Sequence, residues 1–263
     1  MSTRFIIRTL FACFISMGCS KDISSAQPPA EKDEEPAKEA GQILDLTNWK
    51  LTLPVNTERN GNPDEIKQPQ LNSYKDKWFF VNKSGDAVVF KANTGGETTG
   101  GSNFPRSELR EMANSGKSPA AWSSSKGRHT LFIDQRVTHL PDVRRHIVIG
   151  QIHDADKYVI FFRLEGSKLL VSVNKGDKVV LDEHYSLGTR FNVTFEVEND
   201  QTKCYYNGSL KYTYKGGFEG AYFKAGAYVQ SSCKGDKKVE GESCEAYGEV
   251  EIFDVSVKHE LAR

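Results

Sequence analysis

The chain has 263 residues, long enough to bury a sizeable core. Its 35 Lys/Arg balance 35 Asp/Glu, and a formal charge of zero excludes the broad basic surface on which bulk nucleic-acid binding depends. A polyanion could bind only where cations are concentrated locally.

The first segment, residues 1–19, carries Arg4 and Arg8, then an apolar run from Leu10 to Met17, and ends in Gly18-Cys19. A basic start, a short apolar core and a small residue at the cut form the layout of an export signal. The run is too short to span a bilayer. Gly-Cys at its end fits a lipoprotein signal with Cys19 lipidated, although Ser16 stands where Leu is usual; plain secretion is the other outcome. Membrane attachment is expected through that lipid alone. Residues 20–40 hold prolines and an excess of acid without an aromatic residue, and read as a disordered tether.

The body, residues 41–263, keeps thirty basic and twenty-nine acidic residues once the five and six of residues 1–40 are set aside. Its periodicity is two. Residues 157–165 and 168–174 (KYVIFFRLE and KLLVSVN) are apolar on both faces, as deeply buried strands are. In FNVTFEVE, Phe191, Val193, Phe195 and Val197 face one way and the polar residues between them the other. Turns fall at Glu165-Gly166-Ser167, at Asn174–Asp177 and at Asn207-Gly208, the last a strong hairpin signal. Residues 248–257 read as a closing strand whose alternation slips at Phe253, the place for a bulge. Cys204 falls on a half-buried strand. Cys233 and Cys244 flank a polar loop, where a disulfide is expected in an oxidising compartment. Many short antiparallel strands without a long amphipathic helix imply an all-β jelly-roll sandwich, a fold able to curve one sheet into a concave cleft for a polymer.

Three strand-like segments carry polar residues at two-residue spacing. Arg106, Glu108 and Arg110 share one face. Gln151 and His153 project together from an apolar strand, with Ile152 turned inward. Tyr222, Lys224, Tyr228 and Gln230 share a face that Gly226 clears at its middle, leaving room for a ligand to approach the backbone. Arginines, a lysine and glutamines bind carboxylates, whereas His and Tyr move protons. A uronic acid polymer needs both: its carboxylate must be neutralised before the C5 proton becomes acidic, and the O4 leaving group needs an acid. This scheme calls for no metal or cofactor. The other histidines (His129, His139, His146, His184 and His259) lie in no motif and read as structural or surface residues.

These residues resemble the alginate lyases of polysaccharide lyase family 7, through RSELR at 106–110, QIH at 151–153 and YFKAGAYVQ at 222–230, with NWKLTLP at 48–54 as the opening strand. The resemblance covers residues 42–258 and implies a jelly roll with a cleft across one sheet, alginate as partner, and action as a monomer. It implies catalytic positions at Arg106, Gln151, His153 and Tyr228, with Tyr228 transferring a proton. Glu108, Arg110, Lys224, Gln230 and Tyr222 fall on cleft positions, Glu108 holding the flanking arginines. Ile between Gln and His goes in that family with acceptance of guluronate. A jelly-roll glycoside hydrolase and a noncatalytic carbohydrate-binding module are the competing readings. Residues 56–70, residues 112–127 and the Cys233–Cys244 loop are expected to wall the cleft.

Overall fold

A computed structural model describes residues 38–260; the expected export signal, Cys19 and the tether as far as residue 37 lie outside the described residues. In chain order the strands are β1 (Trp49–Thr52), β2 (Glu65–Ile66), β3 (Phe79–Val81), β4 (Val88–Asn93), β5 (Arg106–Ala113), β6 (Ser118–Pro119), β7 (Arg128–His139) and β8 (His146–His153). They continue as β9 (Tyr158–Glu165), β10 (Lys168–Val173), β11 (Lys178–Asp182), β12 (Phe191–Glu198), β13 (Gln201–Tyr206), β14 (Ser209–Lys215), β15 (Tyr222–Val229) and β16 (Tyr247–Glu260).

Two antiparallel sheets result. One runs β11-β10-β9-β8-β15-β5-β1-β2, with β6 hydrogen-bonded to β5; the other runs β14-β13-β12-β7-β16-β4-β3. The period-two segments lie where they were expected. Burial alternates residue by residue along β12 and β7, each with one face inward, while β9 and β10 are buried on both faces. The core lies between the sheets. Phe162 of β9 stacks on Phe195 of β12 with ring centroids 4.2 Å apart, and fully burying each such ring contributes about 1.5–3 kcal/mol.

The β13–β14 hairpin turns on Asn207 and Gly208, at φ 48° and 74°, the paired positive angles of a type I′ turn. In β16, Ile252 pairs with Gln135 and Asp254 with Asp134, so Phe253 is the extra residue of a bulge. Its ring lies beneath the Arg190 guanidinium at 3.9 Å. A disulfide joins Cys233 and Cys244, with Cα atoms 5.1 Å apart.

Three details differ from the sequence reading. Ala40, assigned to the tether on composition, is buried in the core, where a short 3₁₀ turn begins. Cys204 is fully rather than half buried, and burial pushes its thiol far up, away from nucleophile chemistry. Gly226 clears no room for a ligand. It has φ 139°, and a Cβ there would stand 2.6 Å from the Ser107 carbonyl oxygen and 2.9 Å from the Glu108 Cα. The glycine is required by the close approach of β5.

Candidate active site

The three polar segments are far apart in sequence, yet β5, β15 and β8 are neighbours at the middle of one sheet. Register then sets the rows. Arg110 lies beside Lys224, which lies beside Gln151; Arg106 lies beside Tyr228; Tyr222 lies beside His153. Gly226 and Ala227 together oppose Ile149 of β8, a bulge that separates the Tyr228 row from the Lys224 row. On the reverse face of the same strands, Leu109, Ile152, Phe223, Ala225 and Ala227 enter the core.

Above this floor is a cleft of about 470 Å³, lined among others by Arg106, Arg110, Gln151, His153, Tyr222, Lys224 and Tyr228. Glu108 lies beneath it, 1% exposed. Its Oε2 receives Lys224 Nζ at 2.5 Å and Arg106 Nη1 at 3.1 Å, and its Oε1 accepts from Gln151 Nε2 at 2.6 Å. One carboxylate therefore holds three cleft donors. Burial by itself would raise the Glu108 carboxyl; the charges of Lys224 and Arg106, with hydrogen bonds from Lys224 and Gln151, outweigh it and hold the group below the usual range. Burial, reinforced by the Arg106 charge, pushes the Lys224 ammonium down to about 8 against the pull of Glu108.

His153 stacks on Tyr222 at 5.2 Å, and the Arg110 guanidinium covers the same tyrosine ring at 3.9 Å. His153 Nδ1 lies 2.7 Å from the Asp154 carbonyl oxygen. That contact assigns the ring proton to Nδ1 and leaves the Nε2 lone pair free. Burial lowers the histidine below its ordinary value, so the neutral ring prevails at neutral pH. Tyr228 lies under the Arg106 guanidinium at 3.8 Å, and its hydroxyl is 2.8 Å from Ser102 Oγ.

Not every expected residue reaches the cleft. Glu108 acts from below, and Gln230, beyond the end of β15, turns its amide to the Val229 carbonyl. Of the three expected walls, residues 56–70 contribute Glu65, which pairs with Lys50 at 2.5 Å, and otherwise line an adjoining pocket of about 660 Å³ that shares Thr52, Glu65 and Thr99 with the cleft. Residues 112–127 instead line a separate pocket of about 530 Å³, and the Cys233–Cys244 loop contributes nothing to the cleft. The walls are Lys50 and Thr52 of β1, the Thr99–Ser102 turn, Asp156–Tyr158 and Asn174. Lys50 and Thr52 carried a readable signal, the same two-residue spacing, and they pair with Arg110 and Glu108; the loop residues have no period to read.

The remaining histidines serve the framework. His129 and His259 meet at 2.6 Å, His259 reaches Glu111 at 2.6 Å, and Trp122 stacks on His129 at 4.3 Å. His139 stacks on Tyr247, and His184 is exposed.

The alginate lyase family profile matches residues 44–259. An alginate lyase of Klebsiella pneumoniae is 35% identical over 83 residues, covering 31% of this chain and 27% of that protein; the match thus spans about a quarter of the curated relative. Among solved structures, alginate lyase AlgAT5 from polysaccharide lyase family 7 superposes with TM-score 0.79 at 51% identity, over 85% of this chain and 99% of the other. The alginate lyase from Corynebacterium sp. does so with 0.79 at 41%, over 86% and 100%. A variant of the family 7 alginate lyase A1-II′, with a histidine changed to asparagine and a tyrosine to phenylalanine and solved in complex with the substrate GGMG, superposes with 0.73 at 27%, over 87% and 99%. The jelly-roll sandwich, the central cleft and these likenesses agree: the chain belongs to the alginate lyases of polysaccharide lyase family 7.

Proposed function

We propose that the protein cleaves the 1,4-glycosidic bonds of alginate by β-elimination, and that Arg106, Gln151, His153 and Tyr228 carry the reaction. The observation that supports this most is the Glu108 hub, which fixes Arg106, Lys224 and Gln151 in one cleft with His153 and Tyr228. Gln151 uses one amide N–H on Glu108 and keeps the other for a ligand; Arg106 and Lys224 likewise keep donors free. Aimed at a uronate carboxylate, they stabilise the charge that develops when C5 loses its proton. The free Nε2 of His153 takes that proton. The C5–H electron pair forms the C4=C5 double bond, the C4–O4 bond breaks, and O4 takes the Tyr228 proton. The products are a 4,5-unsaturated uronate at the new non-reducing end and a chain ending in a free hydroxyl. No water is consumed. The His153 proton then returns to the Tyr228 oxygen through solvent.

Hydrolysis needs two carboxyl groups opposed across the bond. Of the cleft's carboxylates, Glu108 is buried and held by three donors and Glu65 is tied to Lys50, so the exposed Asp156 of the wall has neither as a free partner acid. A binding module would have no use for a bare imidazole nitrogen in the same cleft as the Tyr228 hydroxyl. Incubation with alginate, followed by the ultraviolet absorbance of the unsaturated end, tests the reading. Tyr228→Phe, His153→Ala and Arg106→Ala should each lose at least about 100-fold in kcat while remaining folded. Near-normal turnover by Tyr228→Phe would sink the mechanism, and reducing ends without absorbance would indicate hydrolysis. Ile152 supports acceptance of guluronate, which defined block substrates test.

The basic start, apolar run and Gly18-Cys19 of the sequence support a further proposal: the chain is exported and carries lipid on Cys19, acting as a monomer at a membrane surface. Radiolabelled palmitate should enter the wild type and not Cys19→Ala. Label in neither protein, with the chain free in the medium, points to plain secretion.

A further inference from the structure

Among the described residues, the Tyr228 hydroxyl has one hydrogen-bond partner, the hydroxyl of Ser102 at 2.8 Å. Ser102 closes a hydrogen-bonded turn in which its N–H donates to the Thr99 carbonyl at 2.8 Å. Its Oγ is fixed by Phe104, whose N–H donates to it at 3.0 Å and whose carbonyl oxygen lies 3.1 Å away. Three groups therefore surround a hydroxyl that has one proton and two lone pairs. Phe104 N–H occupies one lone pair. The other lone pair and the proton must be divided between the Phe104 carbonyl and Tyr228.

The division has two solutions. With Tyr228 protonated, the phenol donates to Ser102 Oγ, and the Ser102 proton goes to the Phe104 carbonyl. With Tyr228 ionised, rotation about the Ser102 Cβ–Oγ bond brings the same proton onto the phenolate oxygen. No heavy atom moves. A hydrogen bond to a charged partner is stronger than one between neutral groups, so the rotation favours the state that Tyr228 reaches after giving its proton to O4.

We infer that Ser102 is a positioning residue for the reaction proposed above, holding the Tyr228 hydroxyl in both protonation states and stabilising the phenolate left when O4 is protonated. The inference rests on that reading of Tyr228. It places Ser102, which touches no reacting atom, within the proton-transfer apparatus and gives the Thr99–Ser102 turn a role beyond walling the cleft.

Ser102→Ala should lower kcat roughly tenfold, equivalent to about 1.4 kcal/mol, with KM within about twofold of wild type and an unchanged melting temperature. Ser102→Thr, which keeps the hydroxyl, should restore most of kcat, whereas Ser102→Val, which matches that threonine in shape but lacks the hydroxyl, should not. In a Tyr228→Phe background, adding Ser102→Ala should change neither the residual rate nor the affinity for alginate oligosaccharide. A Ser102→Ala enzyme with normal kcat overturns the inference. So does one whose defect lies in KM, is equally present in the Tyr228→Phe background, or is not repaired by threonine; each of these marks a loop residue only. Active Tyr228→Phe enzyme would instead overturn the parent reading, and that variant is measured first.

Discussion

Lys224 is the cleft cation closest to losing its charge. The residue is 7% exposed and its ammonium pairs with Glu108, but it also shares that carboxylate with Arg106. Burial comes first and the Arg106 charge second in bringing it from 10.5 to about 8. The sign is that of a base with a depressed value: its charge is present below about 8 and is lost as pH rises through it, well before an ordinary lysine would neutralise. For a polyanionic substrate the consequence lies in binding. KM for alginate should rise as pH climbs through about 8, and a Lys224→Met enzyme should show a KM already elevated and flat over the same range. Initial rates at fixed ionic strength from pH 7 to 10 check this; a wild-type KM that stays constant to pH 10 would show that Lys224 gives the sugar chain no charge. Glu108 makes a contrasting case. Part of its role was legible in the sequence, because a carboxylate between two arginines at two-residue spacing is placed to pair with them; it holds Arg106, whereas Arg110 turns away to donate to the Glu111 carbonyl and to cover the Tyr222 ring. That it also holds Lys224 and Gln151 depends on which strands lie beside β5, which spacing within one strand cannot disclose.

At the scale of elements, the strands were readable and their order in the sheet was not. Period-two patterning is a local property, since successive side chains of a strand point to opposite faces, and it placed β8, β9, β12, β15 and the Phe253 bulge. Adjacency of β5, β15 and β8 is set by crossovers between distant segments; fold class and residue chemistry suggested a shared cleft, but no spacing within a strand could give the order of strands across it. Gly226 was misread for a related reason: a glycine on a polar face fits equally with room for a ligand or with close approach of backbone, and the neighbouring strand decides. That strand is β5, and the space is filled. Gly226→Ala should therefore fail in two ways. A side chain at φ 139° costs on the order of 1–3 kcal/mol, and its Cβ would collide with the Ser107 carbonyl and the Glu108 Cα. Because β5 must shift where Glu108 gathers Arg106, Lys224 and Gln151, activity should fall further than stability does. Urea denaturation beside kcat/KM separates the two effects; an Ala variant of wild-type stability would show that β5 yields there at little cost.

For the whole molecule, neutrality and a polyanionic substrate are compatible because the charge is sorted. Arg106, Arg110 and Lys224 project from the centre of one sheet, while many other charges pair on strand faces away from the cleft, among them Arg128 with Glu196 and Arg190 with Asp134. The two sheets have to stay in register with each other for that sorting to hold, and the segment between β15 and β16 is one place where they are tied. Cys233 and Cys244 close it, and Thr94 and Gly95 after β4 bond its two ends, with the Cys233 N–H donating to Thr94 at 3.3 Å and the Gly95 N–H to Cys244 at 3.1 Å. Glu242 within the loop independently accepts backbone N–H groups of Asp142, Val143 and Arg144. The two cysteines lie eleven positions apart in sequence. Loss of a bridge of that span frees the unfolded chain by about 3 kcal/mol, which at roughly 2–4 °C per kcal/mol for a domain of this size lowers Tm by about 6–12 °C. The loop contributes no residue to the cleft, and the Glu242 bonds survive reduction. A Cys233→Ser, Cys244→Ser protein should accordingly melt earlier yet keep wild-type kcat and KM well below its Tm. Calorimetry and the absorbance assay on one preparation decide the matter: a raised KM for long alginate chains, with short oligosaccharides unaffected, would mean that the loop touches the polymer beyond the cleft and is a wall after all.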